Sequence, residues 1–263
     1  MPGKIQRRSF FLMTVLPVLA LLSACAGDSG LLTINTTEGS NESGNFSVST
    51  LSGPNAYKPA NGPRQIIKKP TLEQVLAKGS LPEHAFGNPK APVTVVKYAS
   101  LTCPICKKFQ RKVFPEFKRT YIDTGKVYFI LRMFPIGRSA GNAAIALRCA
   151  PENKHLALYN KFLEQQHKWV SQEVRLDAIY SVAKQVGMTR GQFDSCLKNQ
   201  SMIDGLNWVK ERGRTLGIIG TPNFFIQNKR IKKALDMDGL RAEIEPLLAN
   251  TRAASVTAPA NRQ

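Results

Sequence analysis

Two cysteines three residues apart, in Cys103-Pro104-Ile105-Cys106, are the residues of this chain best placed to do chemistry. On the first turn of a helix that spacing lets two sulfurs close a small disulfide ring. Pro104 lacks an N–H and suits the first helical position, where no acceptor is waiting for one. Cys103 then sits at the helix N-terminus, where unpaired N–H groups and the positive dipole end favour thiolate, the reactive form. Cys106, one turn further in, is expected to be more buried and to act as the resolving partner in thiol–disulfide exchange. Three other readings compete. A structural zinc site needs four ligands, and with only His84, His155 and His167 and no second Cys-x-x-Cys, no metal is expected. An inert structural bridge would more often join distant segments. Haem attachment needs a His after the second Cys, where Lys107 stands.

Three cysteines remain. Residues 1–25 read as an export signal: Lys4, Arg7 and Arg8 precede an apolar run from Phe10 to Leu22, too short to cross a bilayer. Arg7-Arg8-Ser9-Phe10-Phe11-Leu12 resembles a twin-arginine export motif. Leu22-Ser23-Ala24-Cys25 resembles a bacterial lipobox, in which Cys25 would be lipidated and become the mature N-terminus. The competing reading takes Ala24-Cys25-Ala26 as a cleavage site releasing a soluble protein. Either cut leaves an even number of thiols in an oxidising compartment. Cys149 and Cys196 are then expected to pair as a structural disulfide, with a free redox pair as the alternative.

The elements that must position Cys103 and Cys106 follow from pattern. Residues 26–70 read as a flexible polar linker, rich in Ser, Thr, Asn and Gly over 27–63. The domain is expected over 71–250, with Thr71 capping a short helix to Lys78. Val93–Ala99 (VTVVKYA) is apolar and β-branched at nearly every position, as in a buried central strand. A helix is predicted from Pro104, with Phe109, Val113, Phe117 and Tyr121 on one face, followed by a strand over Val127–Phe134. A helical insertion spans about 140–210, with helices over Asn142–Cys149, after Pro151, over Val174–Val186 and after Thr189. Asn223–Gln227 and Arg230–Lys232 read as a hairpin turning at Asn228, and Asp238–Leu248 as a closing helix. Residues 251–263 are expected to be a disordered tail. The class is α/β, in the order β-α-β, helical insert, β-β-α.

Val93–Cys106 (VTVVKYASLTCPIC) and Gly220–Gln227 (GTPNFFIQ) resemble the DsbA-like branch of the thioredoxin superfamily. The resemblance implies a thioredoxin-like fold with an inserted helical subdomain over roughly 71–250. It implies that Thr221-Pro222 is a cis bond lying against the Cys103–Cys106 pair and binding an extended substrate peptide. It implies an exported thiol-disulfide oxidoreductase that donates disulfides to unfolded, thiol-containing exported proteins. A membrane redox partner would reoxidise it, with no metal or organic cofactor. Two departures stand out. Ile105 occupies the place where the family often has His, which leaves isomerase or reductase activity as an alternative. Lys97 occupies the place of an acid, and its charge is expected to tune the Cys103 pKa toward thiolate. The contrary reading has the Lys97 ammonium reaching the surface without effect. A non-catalytic, envelope-anchored binding module is the alternative of a different class.

Lys plus Arg number 37 against 18 Asp plus Glu, a net charge of +19. Such an excess invites a nucleic-acid reading. Either cleavage would lower it to +16, and export removes the chain from nucleic acid, so none is expected as a partner. Lys107, Lys108, Arg111, Lys112, Lys118 and Arg119 cluster after the cysteines, and Lys229, Arg230, Lys232 and Lys233 after Pro222. They read either as solvated faces or as attraction to an anionic membrane, envelope polymer or acidic substrate. Gly137-Arg138-Ser139-Ala140-Gly141 fits a hydrolase elbow in pattern, but Pro135-Ile136 separates it from the strand, so a turn before a helix is the better reading.

Overall fold

The computed structural model describes residues 65–257. The expected signal with Cys25, the linker to residue 64 and residues 258–263 lie outside that range. Five strands, β1 (His84–Phe86), β2 (Val93–Ala99), β3 (Val127–Met133), β4 (Asn223–Ile226) and β5 (Lys229–Ile231), pair in the order β1-β3-β2-β4-β5. β2 and β3 run parallel and the other pairs antiparallel. β2 is central and buried at all seven positions, as its unbroken apolar run requires.

Strand alternation divides the core in two. Val93, Val95 and Ala99 of β2 pack in a layer with α2 (Pro104–Lys112), α3 (Phe114–Phe117) and α10 (Met237–Thr257). The same layer takes in the insertion helices α4 (Arg138–Cys149), α5 (Glu152–Glu164), α6 (Gln166–Trp169), α7 (Leu176–Ala183) and α8 (Arg190–Leu197). Val96 and Tyr98 pack on the opposite face with α1 (Leu72–Leu76) and α9 (Gln200–Thr215). On that second face Arg132 is 1% exposed. Its guanidinium donates to Glu83 at 2.7 Å, to the Val75 and Ala77 carbonyls at 2.7 and 3.0 Å, and to the Tyr98 hydroxyl at 3.0 Å. One side chain thus fastens α1 and the approach to β1 onto the sheet.

Several elements differ from the pattern reading. The helix expected to run to Tyr121 breaks at Val113, because Pro115 has no N–H for the Arg111 carbonyl; α3 and a wider turn over Lys118–Ile122 replace it. β1 and α9 carry no clear periodic signal. α9 buries Asn207 and Lys210 beside Leu206 and Val209, which blurs its apolar stripe. Its glycines permit the packing: a Cβ on Gly205 would meet Leu81 at 2.4 Å, and one on Gly213 would meet Tyr98 at 3.0 Å. α10 continues to Thr257, seven residues into the segment expected to be a tail. Ser139 lies in the first turn of α4, 4% exposed, and donates to the Ser171 carbonyl at 3.1 Å, so the Gly137–Gly141 segment opens a helix and presents no serine. Cys149 and Cys196 are joined, with Cα atoms 6.2 Å apart, tying the end of α4 to α8 inside the insertion.

Candidate active site

Cys103 and Cys106 are the free thiols among the described residues. β2 ends at Ala99, a short loop follows, and α2 starts at Pro104 with Cys103 as its N-cap. In that position the Cys103 sulfur accepts the Cys106 N–H at 3.3 Å. Cys106, one turn on, is 0% exposed and faces the core. The two sulfurs therefore live in opposite surroundings. Hydrogen bonding from Cys106, opposed by partial burial and helped by the Ile105 and Cys106 N–H groups and by Thr221, holds the Cys103 pKa down to about 5. Hydrogen bonding to Cys103 and burial push Cys106 far above the ordinary thiol range.

β4 lies antiparallel beside β2, with Tyr98 opposite Asn223. That register delivers Thr221 and Pro222 to the mouth of the site. The Thr221–Pro222 bond is cis. The Cys103 thiol donates to the Thr221 carbonyl at 3.2 Å across 118 residues of sequence. The insertion contributes a group that pattern reading missed: Gln166, on α6, donates to the Leu101 carbonyl at 2.7 Å and the Cys103 carbonyl at 3.1 Å. A polar residue between two helices gives no signal of this in sequence. Ser100 and Thr102 share a 3.0 Å hydrogen bond, Thr102 donates to the Ile136 carbonyl at 3.1 Å, and the Ile136 N–H donates to Ser100 at 3.3 Å. The loop carrying Cys103 is thus held from two sides.

Lys97 does not reach the surface. On β2 it shares the face of Val95 and Ala99, and it is 0% exposed. Its Nζ lies 4.1 Å from the centroid of the Phe109 ring and 5.9 Å from that of Tyr159, with no hydrogen-bond partner. Burial lowers its pKa to about 8, against the pull of Cys106 first and Cys103 second. Its charge therefore acts more strongly on the resolving sulfur than on the exposed one.

Three exposed isoleucines adjoin these groups along the chain: Ile105 (44%), Ile136 (45%) and Ile219 (93%). Of the basic residues, Lys107 donates to the Glu164 carbonyl, Lys118 pairs with Asp123, Lys229 pairs with Glu243 and Arg230 donates to the Leu216 carbonyl. Lys108, Arg111, Lys112 and Arg119 remain exposed. Among the described residues no group of three or more His, Cys, Asp or Glu is arranged to hold a metal, and no helix is long and apolar enough to cross a membrane.

A family model described as Thioredoxin matches residues 80–246. The chain belongs to the thioredoxin family. Within it the chain is DsbA-like. It is 30% identical over 171 residues to a putative protein-disulfide oxidoreductase of Rickettsia felis, covering 62% of this chain and 60% of that protein. It therefore spans about 60% of that relative's length. It is 26% identical over 168 residues to disulfide bond formation protein D of Bacillus subtilis, covering 61% of this chain and 74% of that one. Among solved structures, Wolbachia pipientis alpha-DsbA1 superimposes with a TM-score of 0.63 at 26% identity, over 69% of this chain and 98% of that one. Oxidised BdbD of Bacillus subtilis shares the fold at 22% identity, with a TM-score of 0.59. The thioredoxin-like α/β fold, with helices inserted between the β2–β3 and β4–β5 halves of the sheet, is the expected one.

Proposed function

We propose that this chain is an exported protein thiol-disulfide oxidoreductase of the bacterial envelope that donates disulfides to folding proteins. The observation that carries the direction is the contrast between Cys103 and Cys106. A thiol held near pKa 5 is a thiolate at pH 7, which stabilises the dithiol over the disulfide. Relative to an ordinary cysteine this favours reduction of the site by roughly tenfold to a hundredfold, after allowance for the partial exposure of Cys103. A protein whose dithiol form is favoured gives its disulfide away.

In the reaction a substrate thiolate attacks the sulfur of Cys103, the accessible end of the disulfide, and forms a mixed disulfide. The substrate's second thiolate then attacks its own sulfur in that bond and releases Cys103 as thiolate. The backbone at Thr221 and Pro222 offers an edge for an extended peptide, and Ile105, Ile136 and Ile219 suit the apolar segments of unfolded chains. Lys97 supplies positive charge beneath the thiol pair. The partners are thiol-containing exported proteins and a membrane redox protein that reoxidises the dithiol. The exposed cations of α2 suit an anionic envelope surface. The signal over 1–25, with lipidation at Cys25, would anchor the chain there through its polar linker, while Cys149–Cys196 braces the insertion.

The test is the reduction potential against glutathione, run beside insulin-reduction and scrambled-ribonuclease assays. A potential well above roughly −200 mV, with weak insulin reduction, is expected. A value near roughly −270 mV, that of thioredoxin, would contradict disulfide donation.

A further inference from the structure

Pro104 has no N–H, so the first turn of α2 offers the Cys103 sulfur the N–H groups of Ile105 and Cys106. Whether the sulfur meets them depends on the backbone dihedrals of Cys103, φ −77° and ψ 119°. The second of these also sets where the Cys103 carbonyl points. That carbonyl is fixed from two directions: the Lys107 N–H donates to it at 3.1 Å along the helix, and the Gln166 side chain at 3.1 Å from the insertion. The same Gln166 amide donates at 2.7 Å to the Leu101 carbonyl, two residues upstream. One NH2 group therefore pins the chain on both sides of Thr102, where the loop after β2 turns into α2. The support behind it is rigid. Trp169, at the other end of the single-turn α6, is fully buried, donates to the Phe162 carbonyl at 2.8 Å and meets the Phe162 ring edge-on at 5.4 Å. The preceding Gln165 exchanges hydrogen bonds with Gln185 at 2.9 and 3.0 Å. A side chain on so fixed a base loses little conformational freedom when it grips the loop. The insertion already has its own disulfide and a core shared with α2, so these two bonds are not needed to hold it in place.

We propose that Gln166 is a positioning residue for disulfide exchange: it holds the Cys103 backbone where the sulfur meets the α2 N–H groups, and so makes the redox poise of the thiol depend on the insertion. This rests on the exchange reading above. Gln166 acts through the backbone in two ways. Its grip on the Cys103 carbonyl fixes ψ, and with it the 3.3 Å approach of the Cys106 N–H to the sulfur. Its donors also offset the negative ends of two carbonyls beside a sulfur that carries negative charge as thiolate. Without Gln166 both carbonyls turn to water, the cap relaxes and the thiolate loses alignment with its donors. Both effects disfavour the thiolate of Cys103, and neither involves Cys106 or the bond that reacts.

The test titrates Cys103 in the full chain. Reduced protein is labelled with iodoacetamide across a range of pH and digested, and labelling of the Cys103 peptide is measured by mass spectrometry. The reduction potential against glutathione is read on the same proteins. Gln166→Met keeps the length of the side chain and removes its donors. It is expected to raise the midpoint of Cys103 labelling by about 0.5–1 pH unit, the size of one hydrogen bond. A full unit is tenfold in the exchange equilibrium and lowers the potential by about 30 mV. Gln166→Glu sets a carboxylate against the same carbonyls and should raise the midpoint further. Gln165→Met, which loses the Gln185 partner and no contact with the loop, should leave midpoint and potential unchanged. A wild-type midpoint in both Gln166 variants, or an equal rise in Gln165→Met, would overturn the proposal. If circular dichroism shows that Gln166→Met does not fold, the side-chain NH2 signals of Gln166 in the wild type decide by nuclear magnetic resonance. They shift through the titration of Cys103 if the coupling exists, and signals that stay still overturn it. A wild type whose Cys103 labels with the midpoint of an ordinary thiol would instead refute the disulfide-donor reading itself.

Discussion

Acidification from pH 7 to pH 5 should destabilise this protein through two histidines outside the active site. His84 on β1 and His155 on α5 stack with ring centroids 3.1 Å apart at 22°. The Nε2 of His84 and both ring nitrogens of His155 are buried without partners. The charged group that faces them is Arg148 of α4, whose guanidinium donates to the Pro82 carbonyl at 2.6 Å. Burial first, then the neighbouring imidazole and Arg148, lower the His84 pKa to about 2; burial and Arg148 lower that of His155 to about 3. The unfolded chain binds these protons near pH 6.5 and the folded chain does not. Stability is therefore complete above pH 6.5 and falls as pH drops toward 3. Between pH 6.5 and 5 the loss is about 2 kcal/mol per imidazole, and about 3 kcal/mol in total once the partial exposure of His84 is discounted. Carboxylates titrate mostly near pH 4, so pH 5 separates their effect from this one. Urea denaturation at the two pH values measures it. His155→Phe keeps a ring in the stack and should remove at least half of the loss. A wild type that loses less than about 1 kcal/mol, or a His84→Phe/His155→Phe double variant that loses as much as the wild type, would refute the reasoning.

Other outcomes follow from the same coordinates. Cys106→Ala should leave Cys103 nucleophilic yet unable to resolve, so mixed disulfides with reduced client proteins should accumulate and be visible on non-reducing gels. Glu83→Ala leaves the Arg132 guanidinium buried without its carboxylate and should cost about 3–5 kcal/mol in urea denaturation, whereas Lys118→Ala, which breaks an exposed ion pair, should cost less than about 1 kcal/mol. Replacing Cys149 and Cys196 together by Ala opens a 47-residue loop and should lower stability by about 2–4 kcal/mol, chiefly through the entropy of the unfolded chain.

Local chemistry was readable in the sequence where a property depends on near neighbours. The Cys-x-x-Cys spacing, Pro104 at the first helical position, the apolar run of β2, and the N-cap at Thr71 all act within a few residues. Where Lys97 sends its ammonium was open in the sequence, because a lysine on a strand can extend to solvent or stay inside, and the packing of α2 and α5 over the sheet decides which. Gln166 was missed for the same reason: nothing near it in the chain reveals that α6 begins against the Cys103 loop. β1 is only three residues long, and pairing with β3 makes it a strand.

By itself the sequence determined the Cys-x-x-Cys pair at the start of a helix, the two central strands and most of the order of elements, because turn chemistry, capping and apolar periodicity are short-range. That Thr221 and Pro222 belong to the site came from resemblance to a family, since 118 residues separate Thr221 from Cys103. Only the tertiary structure decided the rest: β4 beside β2, Lys97 enclosed under Cys106, and two histidines from different elements forced into one stack. Those arrangements depend on long-range pairing and burial, whose energies are set by which surfaces meet.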